Sequence, residues 1–179
     1  MKNYVSIKKI ILIQSLFFWG FMSFASSTAD AVMRSLSTSK LADNAEIVAK
    51  GSVTDIKSYW AKDKNSIVSW ASIKVTEIIK GTFTGNTLTV EFKGGEVDGV
   101  GFRVSDAAKF FQDENVLLFL KSGKSKKDDS AIFNLIGRSQ GKYTINVDGT
   151  CVKSGFAVVE GAEAIDNNLK CDDLIKKIK

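Results

Sequence analysis

The chain contains no histidine among its 179 residues. Histidine is the commonest general base and the commonest metal ligand near neutral pH. Its absence excludes serine–histidine and cysteine–histidine nucleophile systems within this chain, as well as any zinc site that needs imidazole. The sequence therefore predicts a protein that is not an enzyme and that carries no metal or other cofactor.

Proline is also absent, and cysteine occurs only as Cys151 and Cys171. Turns must therefore rely on Gly, Asn and Asp. Two cysteines cannot form a four-cysteine zinc site, and they lack the C-x-x-C spacing of redox-active pairs. In an exported protein such a pair is typically a disulfide. We therefore predict a Cys151–Cys171 bridge, with two buried free thiols as the alternative.

The N-terminal region has the layout of a secretion signal. Three lysines precede an apolar run of about 15 residues at positions 10–24, and small residues follow it. The run is shorter than the roughly 20 residues needed to span a membrane. We therefore expect a signal peptide at residues 1–31, cleaved after Ala25 or Ala31, with an uncleaved membrane anchor as the alternative.

Outside this segment the chain is only mildly basic. Residues 1–31 hold three lysines and one aspartate, so without them the formal net charge falls from +5 to +3. The other basic residues alternate with acids, except for four lysines at positions 121–127, which predict a solvated hairpin tip. We expect no nucleic-acid partner. The protein is predicted to be periplasmic or secreted and to meet a membrane only through the signal peptide during export.

The hydrophobic pattern of residues 32–179 predicts a single, mainly β domain. A short helix is predicted at residues 35–45, a capped helical turn at 105–108 and a C-terminal helix at 167–178. Alternating or continuous apolar segments predict strands at 46–57, 66–80, 87–92, 115–120, 131–136, 142–147 and 151–159. Gly51, in the first strand, predicts a bulge or a close approach by another segment. Together these features predict a small closed or partly open OB-like barrel; an open sandwich is the alternative.

A recognisable series of segments runs through this domain. It begins with LADNAEIVAKGSVTDIKSYW and VSWASIKVTEIIKG, and it continues with TLTVEFKGGEVDGVGFRVSDAAKFFQDENVLLFL and FNLIGRSQGKYTI. Over about residues 36–146 it resembles a widespread, mostly uncharacterised bacterial exported domain. That domain is similar in fold to the OB-barrel of the tissue inhibitors of metalloproteinases and netrin-like modules. The inhibitors grip zinc through an N-terminal disulfide-bonded cysteine. This chain has no cysteine before Cys151, so the resemblance implies the fold and not that mode of inhibition.

The glycine-dense segment at residues 94–101 is the first candidate binding site. As a flexible loop it would present Glu96, Asp98 and Arg103 to a ligand. The alternative is a hairpin or bulge whose backbone needs positive φ. The segment lacks the G-x-x-x-x-G-K-[ST] pattern of a phosphate-binding loop.

An aromatic group is the second candidate site. It consists of Tyr59, Trp60 and Trp70, which the predicted β-hairpin brings near one another. If exposed, these rings would form a stacking platform for a sugar or a peptide. The alternative is that they pack into the core or over the end of the barrel.

Neighbouring carboxylates are the remaining candidates for chemistry. They occur as Glu96/Asp98, Asp113/Glu114, Asp128/Asp129 and Asp172/Asp173. Glycoside hydrolysis needs two carboxyls about 5–10 Å apart in a cleft, whereas these pairs lie in turns or at a helix end. The sequence therefore predicts first an exported non-enzymatic module that engages protein or glycan. The alternatives are a regulator or inhibitor of secreted or envelope proteases and, least favoured, a carboxylate-dependent hydrolase.

Overall fold

Ten strands and two short α-helices make up the part of the chain that the computed structural model describes, residues 35–153 and 166–178. In chain order they are α1 Thr38–Asn44, β1 Ile47–Trp60, β2 Ile67–Lys80, β3 Thr87–Lys93, β4 Gly95–Val97, β5 Val100–Phe102, β6 Asn115–Lys124, β7 Ala131–Leu135, a 3-10 helix Arg138–Gly141, β8 Lys142–Ile145, β9 Thr150–Val152, β10 Leu169–Lys170 and α2 Cys171–Lys176. The predicted class, mainly β with an N-terminal and a C-terminal helix, is confirmed.

Two of the predictions involve residues outside the described ranges. The signal peptide at residues 1–31 lies outside them, and so does most of the strand predicted at 151–159. Within the described ranges, neither helix has the length and apolar character needed to cross a membrane.

Five of the strands close into a ring. β1 pairs antiparallel with β2, β2 with β3, and β6 with both β7 and β1, while β3 and β7 run parallel. β8, β9 and β10 extend the sheet from β6. The ring is a closed circuit of strand pairs, and its assignment to the OB-like class stays a prediction. Its weakest seam lies between β3 and β7, which share only the pairs Val90–Phe133 and Glu91–Asn134.

β1 can serve two neighbours because it is irregular around Gly51. Its first half pairs with β6, while the strand also pairs along its length with β2, and one register shift falls between Lys50 and Gly51. A Cβ atom on Gly51 would lie 2.6 Å from both Ile73 Cγ2 and the Lys74 carbonyl oxygen. The predicted bulge and close approach at this glycine are confirmed.

β6 separates two apolar clusters because both of its faces are covered. Val116, Leu118 and Leu120 pack inside the ring with side chains of β1, β2 and β3. Leu117 and Phe119 pack on the opposite face against α1, β8 and α2. The strand predicted at 115–120 is confirmed, and its continuous apolar run fits a strand that is covered on both faces.

The two cysteines form the predicted disulfide. Their Cα atoms are 5.1 Å apart, and the bridge joins β9 to the first residue of α2. Both cysteines are buried in the second cluster together with Leu174. The bridge therefore fixes the C-terminal helix to the sheet.

Some local predictions were wrong. Residues 105–108 form a turn rather than a helical segment, since the chain extends to bring Ala108 and Phe110 into the cluster inside the ring. The C-terminal helix begins at Cys171 rather than 167, because Leu169 pairs with β9 as an extended residue.

The side chain of Lys153 is a buried cation next to the second cluster. The residue is 4% exposed, and its Nζ lies 4.5 Å from the centroid of the Tyr143 ring. No hydrogen-bond partner for this Nζ occurs in the described part of the chain. Burial lowers the pKa of Lys153 from 10.5 to about 8, against a smaller opposing effect of Asp166.

We expect Gly51→Ala to lower the free energy of unfolding by about 1–3 kcal/mol, because the added methyl group forces β1 away from β2. Gly101→Ala is the matched control, since a Cβ atom there meets nothing within 4 Å and should change stability by less than about 0.5 kcal/mol. Urea unfolding followed by circular dichroism measures both values. Equal stability of the two variants would contradict the close approach at Gly51.

We also expect stability to depend on the titration of Lys153. Between about pH 8 and pH 10.5 the unfolded chain binds more protons than the folded one, so the free energy of unfolding should rise with pH in this window. Lys153→Met should raise that free energy by about 2–3 kcal/mol at pH 7 and should flatten the rise. Urea unfolding across this pH range tests the change against Lys124→Met, at an exposed lysine. A Lys153→Met protein that is less stable at pH 7 would contradict it.

Candidate functional site

One surface on the outside of the ring combines side chains from three strands and one loop. We call it the outer patch: Tyr59 of β1, Trp70 of β2, Glu91 of β3 and the tip loop, residues 125–130, between β6 and β7. Trp70 and Glu91 are direct neighbours in the β2–β3 register. Strand alternation directs these side chains away from the cluster inside the ring.

Glu91 is the buried centre of the outer patch. The residue is 7% exposed. Its Oε2 accepts hydrogen bonds from Trp70 Nε1 at 3.0 Å and from the Ser125 hydroxyl, and its Oε1 accepts one from the Lys126 backbone N–H at 3.1 Å. Because a buried carboxylate without donors is very unfavourable, these contacts bind the tip loop to β2 and β3.

The predicted solvated hairpin tip is confirmed, since Lys121, Lys124 and Lys126 are exposed at the end of the β6–β7 hairpin. The tip loop is also bound to the outer patch, which the sequence did not indicate. Ser125 is buried, and its backbone N–H donates to the Ser130 carbonyl at 2.9 Å. The Lys62 backbone N–H, in the β1–β2 turn, donates to the Lys126 carbonyl at 2.8 Å. The Lys62 ammonium pairs with Asp129. The lysine count of the tip indicated solvent, whereas backbone and carboxylate contacts hold it against the sheet.

Two of the three predicted aromatic residues come together in the outer patch. The ring centroids of Tyr59 and Trp70 are 5.0 Å apart, with planes tilted by 57°. The ammonium of Lys127 lies over both rings, 4.0 Å from the Tyr59 centroid and 4.5 Å from the Trp70 centroid. Trp60 is the next residue along β1, so alternation directs it to the opposite face, and it has no ring contact within the described ranges.

A concave pocket adjoins the outer patch where β3 and β7 diverge. Its volume is about 160 Å³. The apolar part of its lining consists of Phe92, Val104, Ala107, Ala108 and Leu135, and the polar part of Glu91, Lys93, Asp106, Lys126, Asn134 and Arg138. Arg138 is ion-paired with Asp106. The ammonium groups of Lys93 and Lys126 have no partner in the described residues, so they remain available at the rim.

The glycine-dense segment forms the β4–β5 hairpin next to this pocket. Asp98 and Gly99, both with positive φ, make its turn. The hairpin separates the pocket-lining residues Lys93 and Val104 in sequence, so both of its ends lie at the pocket wall. The structure thus shows the hairpin that the sequence offered as the alternative to a flexible loop.

The three charged residues predicted to bind through this segment lie on the hairpin surface. Glu96, Asp98 and Arg103 are exposed, and none of them lines the pocket. They have no hydrogen bond or ion pair with other described residues. Their binding role stays a prediction.

The neighbouring carboxylates do not form a shared site in the described residues. The side chain of Glu114 is 9% exposed and forms an ion pair with Lys142, with 3.0 Å between Nζ and Oε1. Burial lowers the pKa of Lys142, while Glu114 opposes this effect. Asp128, Asp129 and Asp173 pair with lysines on the surface. No group of three acidic or cysteine side chains in the described ranges is arranged to hold a metal ion.

Sequence reasoning missed Glu91, Ser125 and Lys127, which organise the outer patch. Alternation along β3 places Glu91 on the outer face of the strand, but it gives no sign that another segment covers this residue. The mixture of serine, lysine and aspartate in the tip is typical of solvated turns. The only available signal was the pairing of Glu91 with Trp70 across two adjacent predicted strands.

Comparison of the chain with protein-family models, curated proteins and solved structures finds no match. The resemblance to the exported bacterial domain and to the inhibitor-like OB-barrels therefore stays a prediction.

We expect Glu91→Gln to lower the free energy of unfolding by about 1–3 kcal/mol, because the amide presents a donor where the carboxylate accepts hydrogen bonds. Glu77→Gln is the control, since Glu77 is 55% exposed and makes only a surface ion pair with Lys50; its effect should be within about 1 kcal/mol. Denaturant unfolding measures both changes. Equal losses in the two variants would show that Glu91 does not hold the outer patch.

Proposed function

We propose that this chain is an exported, non-enzymatic binding module that engages a protein or a glycan through the outer patch and its pocket. The observation that carries the proposal is a mainly apolar pocket whose two carboxylates are both engaged by the chain itself. Two ammonium groups at its rim have no partner among the described residues. Such a combination of apolar lining and a few polar groups is typical of recognition sites.

The size of the pocket indicates what it holds. Its volume of about 160 Å³ is below the roughly 300–1,000 Å³ of sites that enclose a complete small ligand. The pocket therefore fits one side chain or one sugar substituent of a larger partner. The rest of that partner would extend over the adjoining outer patch.

The state of the two pocket carboxylates favours binding over hydrolysis. Acid–base catalysis needs a carboxyl that can reach the reacting group. Glu91 already accepts hydrogen bonds from Trp70, Ser125 and Lys126. Asp106 is paired with Arg138.

The position of the outer patch on the ring supports the same proposal. In OB-type folds, the face of the second and third strands and the loops beside it bind sugar or nucleotide chains. The outer patch lies on β2 and β3 and is flanked by the β1–β2 turn and the tip loop. The buried disulfide, together with the signal peptide predicted from the sequence, supports an activity outside the cytoplasm and favours protein or glycan over nucleic acid.

The runner-up function is regulation of secreted or envelope proteases through the β4–β5 hairpin. It is favoured by two apolar side chains that the hairpin exposes, Val100 at 49% and Phe102 at 36%. The two functions differ in one measurable respect. Only the runner-up predicts that the purified protein lowers the activity of secreted or envelope proteases.

The proposed function is tested by capture of partners from envelope and secreted fractions, together with a glycan array. We expect Ala107→Trp to lower the signal of the captured partner at least about tenfold, because the indole fills the pocket. Ala131→Trp adds the same side chain at an exposed position of β7 outside the pocket lining and should retain it.

Two outcomes would contradict the proposal. One is equal capture by Ala107→Trp and Ala131→Trp, which would place any partner elsewhere. The other is conversion of the captured partner to a product by the purified protein, which would make the chain an enzyme. Circular dichroism of both variants verifies that the fold is intact.

A further inference from the structure

We propose that the Tyr59–Trp70 pair is a binding site for a quaternary alkylammonium group. This inference deepens the proposed function and rests on it, because it takes the outer patch to be the ligand surface. It identifies the chemistry of one part of the ligand. The chain's own Lys127 ammonium marks the place where that group binds.

The first support is the position of a cation between the two rings. Lys127 Nζ lies 4.0 Å from one ring centroid and 4.5 Å from the other, within the distance at which a ring quadrupole attracts a positive charge. The rings are tilted by 57°, so they form two walls around one point rather than a flat platform. This geometry fits a compact cation better than the stacked sugar that the sequence suggested.

The second support is that the walls are fixed before any ligand arrives. The Trp70 indole donates its N–H to Glu91 at 3.0 Å, and Glu91 is held in turn by the Ser125 hydroxyl. In a rigid site, less conformational entropy of the side chains is lost when a ligand binds, so binding is stronger.

The third support is that Lys127 can leave without unfolding the tip loop. The loop backbone is held by other contacts, including a hydrogen bond of 3.0 Å from the Lys127 backbone N–H to the Ser125 hydroxyl. The Lys127 side chain is 32% exposed, and within the described ranges it forms one ion pair, with Asp128 at 3.5 Å. An exposed cation–π contact shifts an equilibrium only ~2–5-fold, so a ligand cation can displace this ammonium.

A quaternary ammonium suits the site better than a primary one. The pair presents ring faces, and ring faces supply no strong acceptor for the N–H donors of a primary ammonium. A quaternary ammonium has no N–H groups and is weakly hydrated, so it gives up less hydration free energy when it leaves water. Aromatic walls are the usual protein environment for such groups.

The test is a titration of the exported protein with choline, followed by tryptophan fluorescence. The neutral isostere 3,3-dimethylbutan-1-ol is titrated in parallel, because it has the same shape without the charge. We expect Lys127→Ala to bind choline ~2–5-fold more tightly than the natural chain, since the internal competitor is removed. Lys124→Ala removes an equal charge just before the tip loop and should bind choline as the natural chain does.

Two further variants identify the walls. In the Lys127→Ala background, either Trp70→Leu or Tyr59→Leu should abolish choline binding. Tyr59→Leu leaves the hydrogen bond between Trp70 and Glu91 in place, so it keeps the test valid if Trp70→Leu does not fold. Thermal unfolding of each variant verifies the fold.

Equal affinity for choline and its neutral isostere would overturn the inference, and so would unchanged choline affinity in Lys127→Ala. The proposed function fails separately. If Ala107→Trp loses its partner but choline does not bind, the proposed function is supported and the ammonium site is contradicted. If choline binds as described while no partner is captured, the ammonium site is supported and the proposed function is contradicted.

Discussion

The arrangement of the outer patch depends on the burial of one carboxylate. Glu91 is almost fully removed from solvent, and an unpartnered ion in that position would be very unfavourable. Its donors come from two segments far apart in the sequence, the indole of Trp70 on β2 and the Ser125 hydroxyl and Lys126 N–H of the tip loop. If the loop moves away, Glu91 loses the hydrogen bonds from Ser125 and Lys126, and these groups lose their acceptor. This mutual requirement keeps the aromatic pair, the loop and the pocket wall in one arrangement.

The same carboxylate lies at the weakest seam of the ring. β1 pairs with both β2 and β6 because Gly51 allows it to approach β2 closely, and this pairing closes the ring on one side. On the other side, β3 and β7 share only two residue pairs, one of which is Glu91–Asn134. Beyond that pair the strands diverge, and the pocket opens there. The pocket therefore exists because the β3–β7 pairing that closes the ring is short.

Features carried by local patterns could be predicted from the sequence. Alternation located the main strands, and the two-sided apolar run of β6 indicated its central place. Gly51 and the two cysteines were predictable because residue type and position limit what each can do. The burial of Glu91 was not predictable, since a distant loop covers it and nothing in β3 indicates that loop. Lys127 was missed because a lysine in a charged turn is normally solvated. Alternation at the end of β1 directs Trp60 and Tyr59 to opposite faces, so the sequence does contain their separation.

The exchange rate of the Trp70 indole N–H tests this account most directly. In the folded protein this proton is donated to buried Glu91, whereas the Trp60 indole N–H has no acceptor in the described residues. Proton exchange with solvent, followed by NMR in one sample, compares the two. The account predicts that Trp70 Nε1–H exchanges at least about tenfold more slowly than Trp60 Nε1–H, and that Glu91→Gln removes most of the difference. Equal exchange rates in the natural chain would contradict a patch held together by Glu91.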